Sequence, residues 1–149
     1  MTTIAWFDDL AVGMQFKSGE ARITAPDIKR FAAEFDPQPM HLDEEAAAKT
    51  FFKGLAASGW HTASIAMRLL VETRPFGDHP IIGIGGGVRW LAPVRAGDAL
   101  HLEGEIESLT PSKSKPQGTV NMKWTMYNQD GQAVYAFTPM TIVPRRPDM

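Results

Sequence analysis

A carboxylate and an imidazole lie five residues apart in the segment Asp36-Pro37-Gln38-Pro39-Met40-His41. Two prolines stiffen the backbone between them, because each pyrrolidine ring fixes its own φ. Histidine titrates near neutral pH, and a nearby carboxylate can orient it and shift its pKa. The pair is therefore a candidate for general acid–base catalysis, in which Gln38 could hold either group by a hydrogen bond.

Both groups also have a simpler interpretation. Asp36 could be a turn residue at the end of a helix, and His41 could be a packed loop histidine; spacing alone favours that interpretation. We expect neither residue to lie inside a regular helix or strand. Asp43 follows closely and is best interpreted as the N-terminal cap of the next helix.

The second candidate feature is the segment 54–61, Gly-Leu-Ala-Ala-Ser-Gly-Trp-His, which opens a long predicted helix. A helix N-terminus presents backbone N–H groups that have no intrahelical partner, together with a partial positive charge. Such groups can polarise a carbonyl and stabilise a developing enolate oxygen. Gly59 has no side chain to block that approach. The alternative is that Gly54 and Gly59 only permit tight turns.

Three helices are predicted in the first half of the chain, over residues 24–36, 43–49 and 58–74. Thr24 can cap the first, and Pro37 ends it because a proline disfavours helical backbone in the residue before it. The third helix has an apolar stripe that we expect to face the core. The stripe consists of Ala63, Ala66, Met67, Leu70 and Val71.

The second half of the chain has the alternating pattern of β-strands. An Asn-Gln-Asp-Gly turn at 128–131 predicts a hairpin, and Pro139 implies an edge strand or a bulge. Helices followed by strands indicate an α+β fold, a mostly antiparallel sheet packed on one long helix. The strands are predicted over residues 14–23, 88–91, 98–108, 120–127 and 132–143.

Composition limits the classes of function. The chain has 149 residues, which suggests one domain over 1–149, and its lack of cysteine excludes disulfides and thiolate zinc sites. A net charge of −2 argues against nucleic-acid binding. We expect no membrane span, no signal peptide and a cytoplasmic location. We expect no metal site either, because His41, Asp43 and His61 lack the spacing of a zinc motif.

The glycine-rich segment Gly83-Ile84-Gly85-Gly86-Gly87-Val88 resembles a nucleotide-binding loop only superficially. The dinucleotide fingerprint requires glycine where Val88 stands. We interpret the segment as a flexible lead into a strand, or as a place where substrate approaches the backbone closely. Gly87 is on that basis a candidate substrate-binding residue.

Three ordered motifs resemble the MaoC-like dehydratase family, which includes the (R)-specific enoyl-CoA hydratases and has the hotdog fold. The resemblance covers nearly the whole chain and implies a single hotdog domain, an antiparallel sheet wrapped around one long central helix. The motifs are Asp36-x-Gln38-Pro39-x-His41-x-Asp43, then Phe52-x-Gly54-(x)4-Gly59, then Pro93-Val94-x-x-Gly97-Asp98.

The resemblance implies a hydratase site that reversibly adds water to a trans-2-enoyl-CoA and gives a 3-hydroxyacyl-CoA. Asp36 and His41 would jointly bind the water, with the aspartate as base and the histidine helping to deliver a proton to the α-carbon. The backbone N–H of Gly59 would hold the thioester oxygen. Gln38 replaces the family's usual asparagine, and Ser58 replaces a common histidine.

The resemblance further implies that Gln38, Ser58 and Trp60 are substrate-binding residues, that coenzyme A enters as part of the substrate, and that no other cofactor is used. It implies a homodimer or a dimer of dimers, in which Trp60, His61, Met67, Arg89 and Trp90 line the acyl tunnel or the interface, unless they simply pack in the core. Two alternatives remain, a hotdog acyl-CoA thioesterase and a non-catalytic acyl-binding subunit. The absence of an acidic residue between Gly54 and Leu70 counts against the thioesterase.

Overall fold

Four α-helices precede most of the sheet in the computed structural model, which describes residues 5–147. Thr24 caps the first by accepting a hydrogen bond from the Asp27 N–H, and Asp43 caps the third by accepting one from the Ala46 N–H, as predicted. None of the described helices is long and apolar enough to cross a membrane. The helices are α1 (Ala25–Phe35), α2 (Pro39–Leu42), α3 (Glu44–Ala48) and α4 (Gly59–Thr73).

The short helix α2 corrects one expectation, because it places His41 within a helical turn rather than in an irregular segment. Pro39 occupies the first position of this turn. Proline favours that position because its φ is already helical and its missing N–H would have had no partner there. The backbone N–H of Asp43 donates to the Pro39 carbonyl and ends the helix.

Six antiparallel strands form one sheet in the order β1-β4-β5-β6-β3, with β2 also pairing with β4. The three long neighbouring strands β4, β5 and β6 form its centre, and β3 is an edge strand. The strands are β1 (Gln15–Lys17), β2 (Ala21–Arg22), β3 (Ile82–Trp90), β4 (Ala99–Pro111), β5 (Gln117–Tyr127) and β6 (Ala133–Pro144).

The glycine-rich segment lies inside β3 and is not a flexible lead into it. Gly86 pairs with Pro139 and has φ of +133°, and a Cβ atom there would clash with the Thr138 carbonyl oxygen. Only glycine fits so close a backbone approach. Pro139 lies in β6, which is an inner strand because it pairs with both β5 and β3, and not an edge strand. A register shift in the pairing of β3 with β6 lies nearby, between Gly83 and Gly85.

Helix α4 packs against the sheet with a stripe that matches the predicted one at Ala66 and Leu70 and differs at its other positions. Thr62, Ala66, Leu69 and Leu70 are buried, whereas Met67 and Val71 are about half exposed. Both sets of residues have helical spacing, so periodicity alone could not decide which one faces the sheet. Ala66, Leu69 and Leu70 belong to one apolar cluster with the buried sheet residues Leu100, Leu102, Ile106, Met122, Trp124 and Met126. The structure thus confirms the α+β architecture of a sheet around one long helix.

Candidate active site

Asp36 and His41 come together where α1 ends and α2 begins. Asp36 is the C-cap of α1, and His41 lies in the single turn of α2. The His41 Nε2 atom is 3.4 Å from Asp36 Oδ2, and both side chains are largely buried. The structure therefore brings the two proton-transfer groups of the first motif into direct contact.

The main chain fixes the orientation of the His41 ring. Its Nδ1 atom lies 2.6 Å from the carbonyl oxygen of Ala56, which can only accept a hydrogen bond. Nδ1 therefore carries the proton of the neutral ring, and this hydrogen bond assigns the tautomer. The Nε2 atom, with its lone pair, is left facing Asp36 Oδ2. Asp36 Oδ2 and His41 Nε2 are thus two hydrogen-bond acceptors 3.4 Å apart. A small molecule with two hydrogens to donate could bind to both atoms at once.

Two hydrogen bonds stabilise the Asp36 carboxylate. The Gln38 amide donates to Oδ1 at 2.6 Å, and the Ser58 hydroxyl donates to Oδ2 at 2.7 Å. Burial is the largest single influence on the pKa of Asp36 and raises it. The hydrogen bonds from Gln38 and Ser58, together with the attraction of the His41 ring when it is protonated, outweigh burial, so the pKa of Asp36 lies below its ordinary value of 3.8. Asp36 is consequently ionised at neutral pH and can act as a base.

The N-terminus of α4 borders the same site. Ser58 caps the helix by accepting a hydrogen bond from the Trp60 N–H at 3.3 Å. Within the described part of the chain, the Gly59 N–H has no hydrogen-bond acceptor. The Trp90 indole N–H donates to the Gly59 carbonyl at 2.7 Å, and its ring lies 2.7 Å from where a Cβ atom of residue 59 would be. A side chain at residue 59 would therefore force the Trp90 indole to move.

A cleft of about 520 Å³ contains most of the candidate residues. Asp36, Gln38, His41, Gly59 and Trp60 all line it. Ser58 is buried beneath the cleft and acts on it through its bond to Asp36. The structure does not bring Gly87 into this group. Gly87 lies on β3, where its N–H donates to the Thr138 hydroxyl, and borders a separate depression.

Several residues of the cleft were not among the predicted ones. Phe51 and Phe52 add aromatic rings to its wall, and Arg95 adds a cation. Arg95 occupies a variable position of the third motif, so the motif locates the segment without indicating this side chain. Asp98, the last residue of that motif, has a local role, because its Oδ2 atom accepts a hydrogen bond from the Arg95 N–H at 2.8 Å.

His61 lies outside the cleft although it is in α4. Its ring stacks on Phe31 of α1 at 4.7 Å, and burial lowers its pKa. His61 therefore contributes to the packing of α1 on α4. Within residues 5–147, no three histidine, aspartate or glutamate side chains are grouped so that they could hold a metal ion.

A family model described as "MaoC like domain" matches residues 9–128. The crystal structure of a MaoC-like dehydratase from Rhodospirillum rubrum has 48% sequence identity and a TM-score of 0.89, covering 96% of this chain and 99% of that one.

Two curated relatives are also similar. An uncharacterized protein of Bacillus subtilis, YdeM, is 35% identical over 129 residues, which are 86% of this chain and 91% of the relative. The 3-hydroxybutyryl-CoA dehydratase of Methylorubrum extorquens is 32% identical over 113 residues, which are 75% of this chain and 70% of the relative. Together with the fold and the three motifs, these matches show that the chain belongs to the MaoC-like family of hydratases and dehydratases and has its hotdog fold.

Proposed function

We propose that the protein catalyses the reversible addition of water to a trans-2-enoyl-CoA, which gives a 3-hydroxyacyl-CoA. One observation carries the proposal: ionised Asp36 and the free Nε2 atom of His41 face each other at 3.4 Å beside the N-terminus of α4. A base, a proton carrier and N–H donors for a carbonyl oxygen are the groups that this reaction requires. The name of the Methylorubrum extorquens relative, 3-hydroxybutyryl-CoA dehydratase, supports the same chemistry.

The water molecule would be held by hydrogen bonds to Asp36 and His41. Each side chain presents one acceptor, Oδ2 or Nε2, and water has two hydrogens to donate. As the oxygen of this water bonds to C3 of the enoyl group, Asp36 accepts one of its protons. The electron pair of the C2–C3 double bond moves toward the thioester carbonyl, and an enolate forms.

The proton then reaches C2 through His41. The Asp36 carboxyl passes it to His41 Nε2, 3.4 Å away, and the imidazolium delivers it to C2 as the carbonyl reforms. The hydrogen bond from Nδ1 to the Ala56 carbonyl is kept throughout and stabilises the imidazolium. One water has been added across the double bond, and both side chains have returned to their starting states. Dehydration follows the same steps in reverse.

The Gly59 N–H at the start of α4 would hold the enolate oxygen. Negative charge develops on that oxygen during the reaction, and a helix N-terminus stabilises negative charge. Trp60 and Gln38 would contact the acyl thioester from the cleft wall. These steps require no cofactor apart from the coenzyme A that the substrate carries.

We also propose that the protein forms a homodimer through β3. This strand of nine residues is the edge of the sheet, and each of its residues is exposed. Large apolar side chains are exposed along it, namely Ile82, Ile84, Val88 and Trp90. A long exposed apolar edge strand readily pairs with another strand. A second copy of this chain supplies an identical strand and a two-fold arrangement.

The test is hydration of a series of trans-2-enoyl-CoA thioesters by the purified protein and by Asp36→Asn and His41→Ala variants. We expect the wild type to turn over at least one thioester and both variants to lose most of that rate. His101→Ala is the matched control, since it removes an imidazole on β4 that lies outside the cleft. Full activity in a folded Asp36→Asn variant would contradict the assigned roles.

The same assay distinguishes the two alternatives. Release of free coenzyme A without hydration would indicate a thioesterase, although α4 has its first acidic residue only at Glu72, near its C-terminus. Binding of an acyl-CoA with no turnover, unchanged in Asp36→Asn, would indicate a non-catalytic acyl-binding subunit.

A further inference from the structure

We infer that Arg95 is a positioning residue that keeps His41 in its reactive tautomer and orientation. It does so through the loop of residues 52–56, without contacting the reacting atoms. This inference rests on the proposed function only in that it identifies what holds the proposed proton carrier. The effect on the histidine itself can be measured without any substrate.

The Arg95 guanidinium binds three main-chain carbonyls of one loop. Its Nη1 atom donates to Gly54 at 2.9 Å and to Leu55 at 3.1 Å, and its Nη2 atom donates to Phe52 at 2.6 Å. The planar fork of a guanidinium suits several acceptors at fixed angles, which the single nitrogen of lysine does not reproduce. The half-buried cation therefore fixes the loop at three points.

Ala56, the residue after Leu55 in this loop, orients the His41 ring. The Ala56 carbonyl accepts the hydrogen bond from His41 Nδ1, and the Ala56 N–H donates to the Met40 carbonyl at 3.0 Å. Ala56 thus binds the helical turn that contains His41 through two hydrogen bonds, one from its N–H and one to its carbonyl oxygen. A shift of the loop would weaken the Nδ1 hydrogen bond, and the proton would then be free to move to Nε2.

Arg95 is itself held from the far side. Its N–H donates to Asp98 Oδ2, and Asp98 Oδ1 accepts a hydrogen bond from the Gln129 amide at 3.0 Å. Gln129 belongs to the turn between β5 and β6 and also accepts a hydrogen bond from the Ala99 N–H. A chain of hydrogen bonds therefore connects the β5–β6 turn and the start of β4 to His41, with Arg95 in the middle.

The experiment compares wild type, Arg95→Met and Arg95→Lys by long-range ¹H–¹⁵N NMR of the histidine rings. The protein has four histidines, and a His41→Gln variant assigns the signal of interest. Arg22→Met is the matched control, because its guanidinium also donates to a carbonyl, that of Gly97, but lines no part of the cleft. Thermal unfolding shows that each variant is folded.

We expect the wild type and Arg22→Met to show one His41 tautomer with the proton on Nδ1. In Arg95→Met the His41 signals should move toward a mixture of both tautomers, and Arg95→Lys should be intermediate. In the hydration assay, kcat should fall on the order of 10- to 100-fold in Arg95→Met, while KM changes by no more than about twofold.

A folded Arg95→Met protein with the wild-type His41 tautomer would overturn the inference, whatever its activity. If Arg95→Met does not fold, Arg95→Lys decides in the same way, since it keeps the charge and removes the fork. If the wild type hydrates no enoyl-CoA but the His41 signals still move in the variants, the proposed function fails and the positioning role of Arg95 stands.

Discussion

The hydroxyl of Ser58 donates a hydrogen bond to Asp36 Oδ2 at 2.7 Å and accepts one from the Trp60 N–H at 3.3 Å. One side chain thereby connects the carboxylate at the end of α1 to the first turn of α4. The carboxylate and the helix N-terminus are the groups proposed to act on the water and on the thioester oxygen. Their relative placement is consequently set by a buried residue that need not contact substrate.

Replacement of Ser58 by alanine should reduce both stability and activity. We expect loss of the N-cap to lower the free energy of unfolding by about 1 kcal/mol. Urea unfolding measures this change. Ser64→Ala is the control, because its hydroxyl only donates to the Trp60 carbonyl on the exposed side of the same helix. Equal stability of the two variants would show that the Ser58 cap contributes nothing.

The pKa of Asp36 should depend on Gln38. The hydrogen bond from the Gln38 side-chain amide to Asp36 Oδ1 is the strongest influence that lowers this pKa, so Gln38→Ala should raise it. The carboxyl ¹³C shift of Asp36, followed from pH 7 downward, gives the pKa directly. Gln15→Ala, on the exposed surface, should leave it unchanged. An unaltered pKa in Gln38→Ala would show that the amide does not stabilise the carboxylate.

The lowered pKa of Asp36 also has a consequence for acid stability. The unfolded chain should bind a proton at Asp36 near pH 3.8, whereas the folded protein binds it only at lower pH. Ionised Asp36 therefore stabilises the fold above the unfolded pKa, and this contribution is lost as the pH falls through the folded value. Asp36→Asn should accordingly reduce the difference between stability at pH 6 and below pH 3.8, as measured by thermal unfolding. No change in that difference would contradict the depressed pKa.

Features that depend on neighbouring residues were predictable from the sequence. The caps Thr24 and Asp43 act on groups within three residues, and the prolines around Gln38 keep Asp36 and His41 close together. The sequence predicts Ser58 at the start of the helix. Its hydrogen bond to Asp36 is not predictable, because the two residues are 22 positions apart and no local sequence pattern connects them.

Features that depend on distant main-chain atoms were not predictable. Arg95 binds main-chain carbonyls 40 to 43 residues away. Every residue has a main-chain carbonyl, so the sequence does not mark which ones an arginine will bind. The same holds for Ala56, whose oxygen orients His41. In α4, the spacing of the apolar residues allows either Leu69 or Val71 to face the core. Packing against the sheet buries Leu69 and leaves Val71 exposed, and this packing cannot be deduced from the helix sequence alone.

Gly59→Ala should displace Trp90 and impair the start of α4. The added Cβ would lie 2.7 Å from Trp90 Nε1, so the indole must move and its bond to the Gly59 carbonyl must lengthen. We expect a loss of about 1 kcal/mol in stability, because the displaced indole loses its hydrogen bond, and a change in tryptophan fluorescence. Gly19→Ala is the control, since no atom beyond its two chain neighbours lies within 4 Å of its Cβ position. Unchanged fluorescence and stability in Gly59→Ala would show that Trp90 does not pack here.

Val88→Lys should dissociate the proposed dimer. Val88 lies on the edge strand β3 and is 44% exposed, and a lysine on each of two paired edges would place like charges together. Light scattering of the wild type should give about twice the chain mass of 16.4 kDa, and the variant should give the single-chain mass. Val12→Lys makes the same substitution at a residue 63% exposed outside the sheet and should leave the dimer intact. A dimeric Val88→Lys protein would place the interface elsewhere, and a monomeric wild type would exclude the dimer.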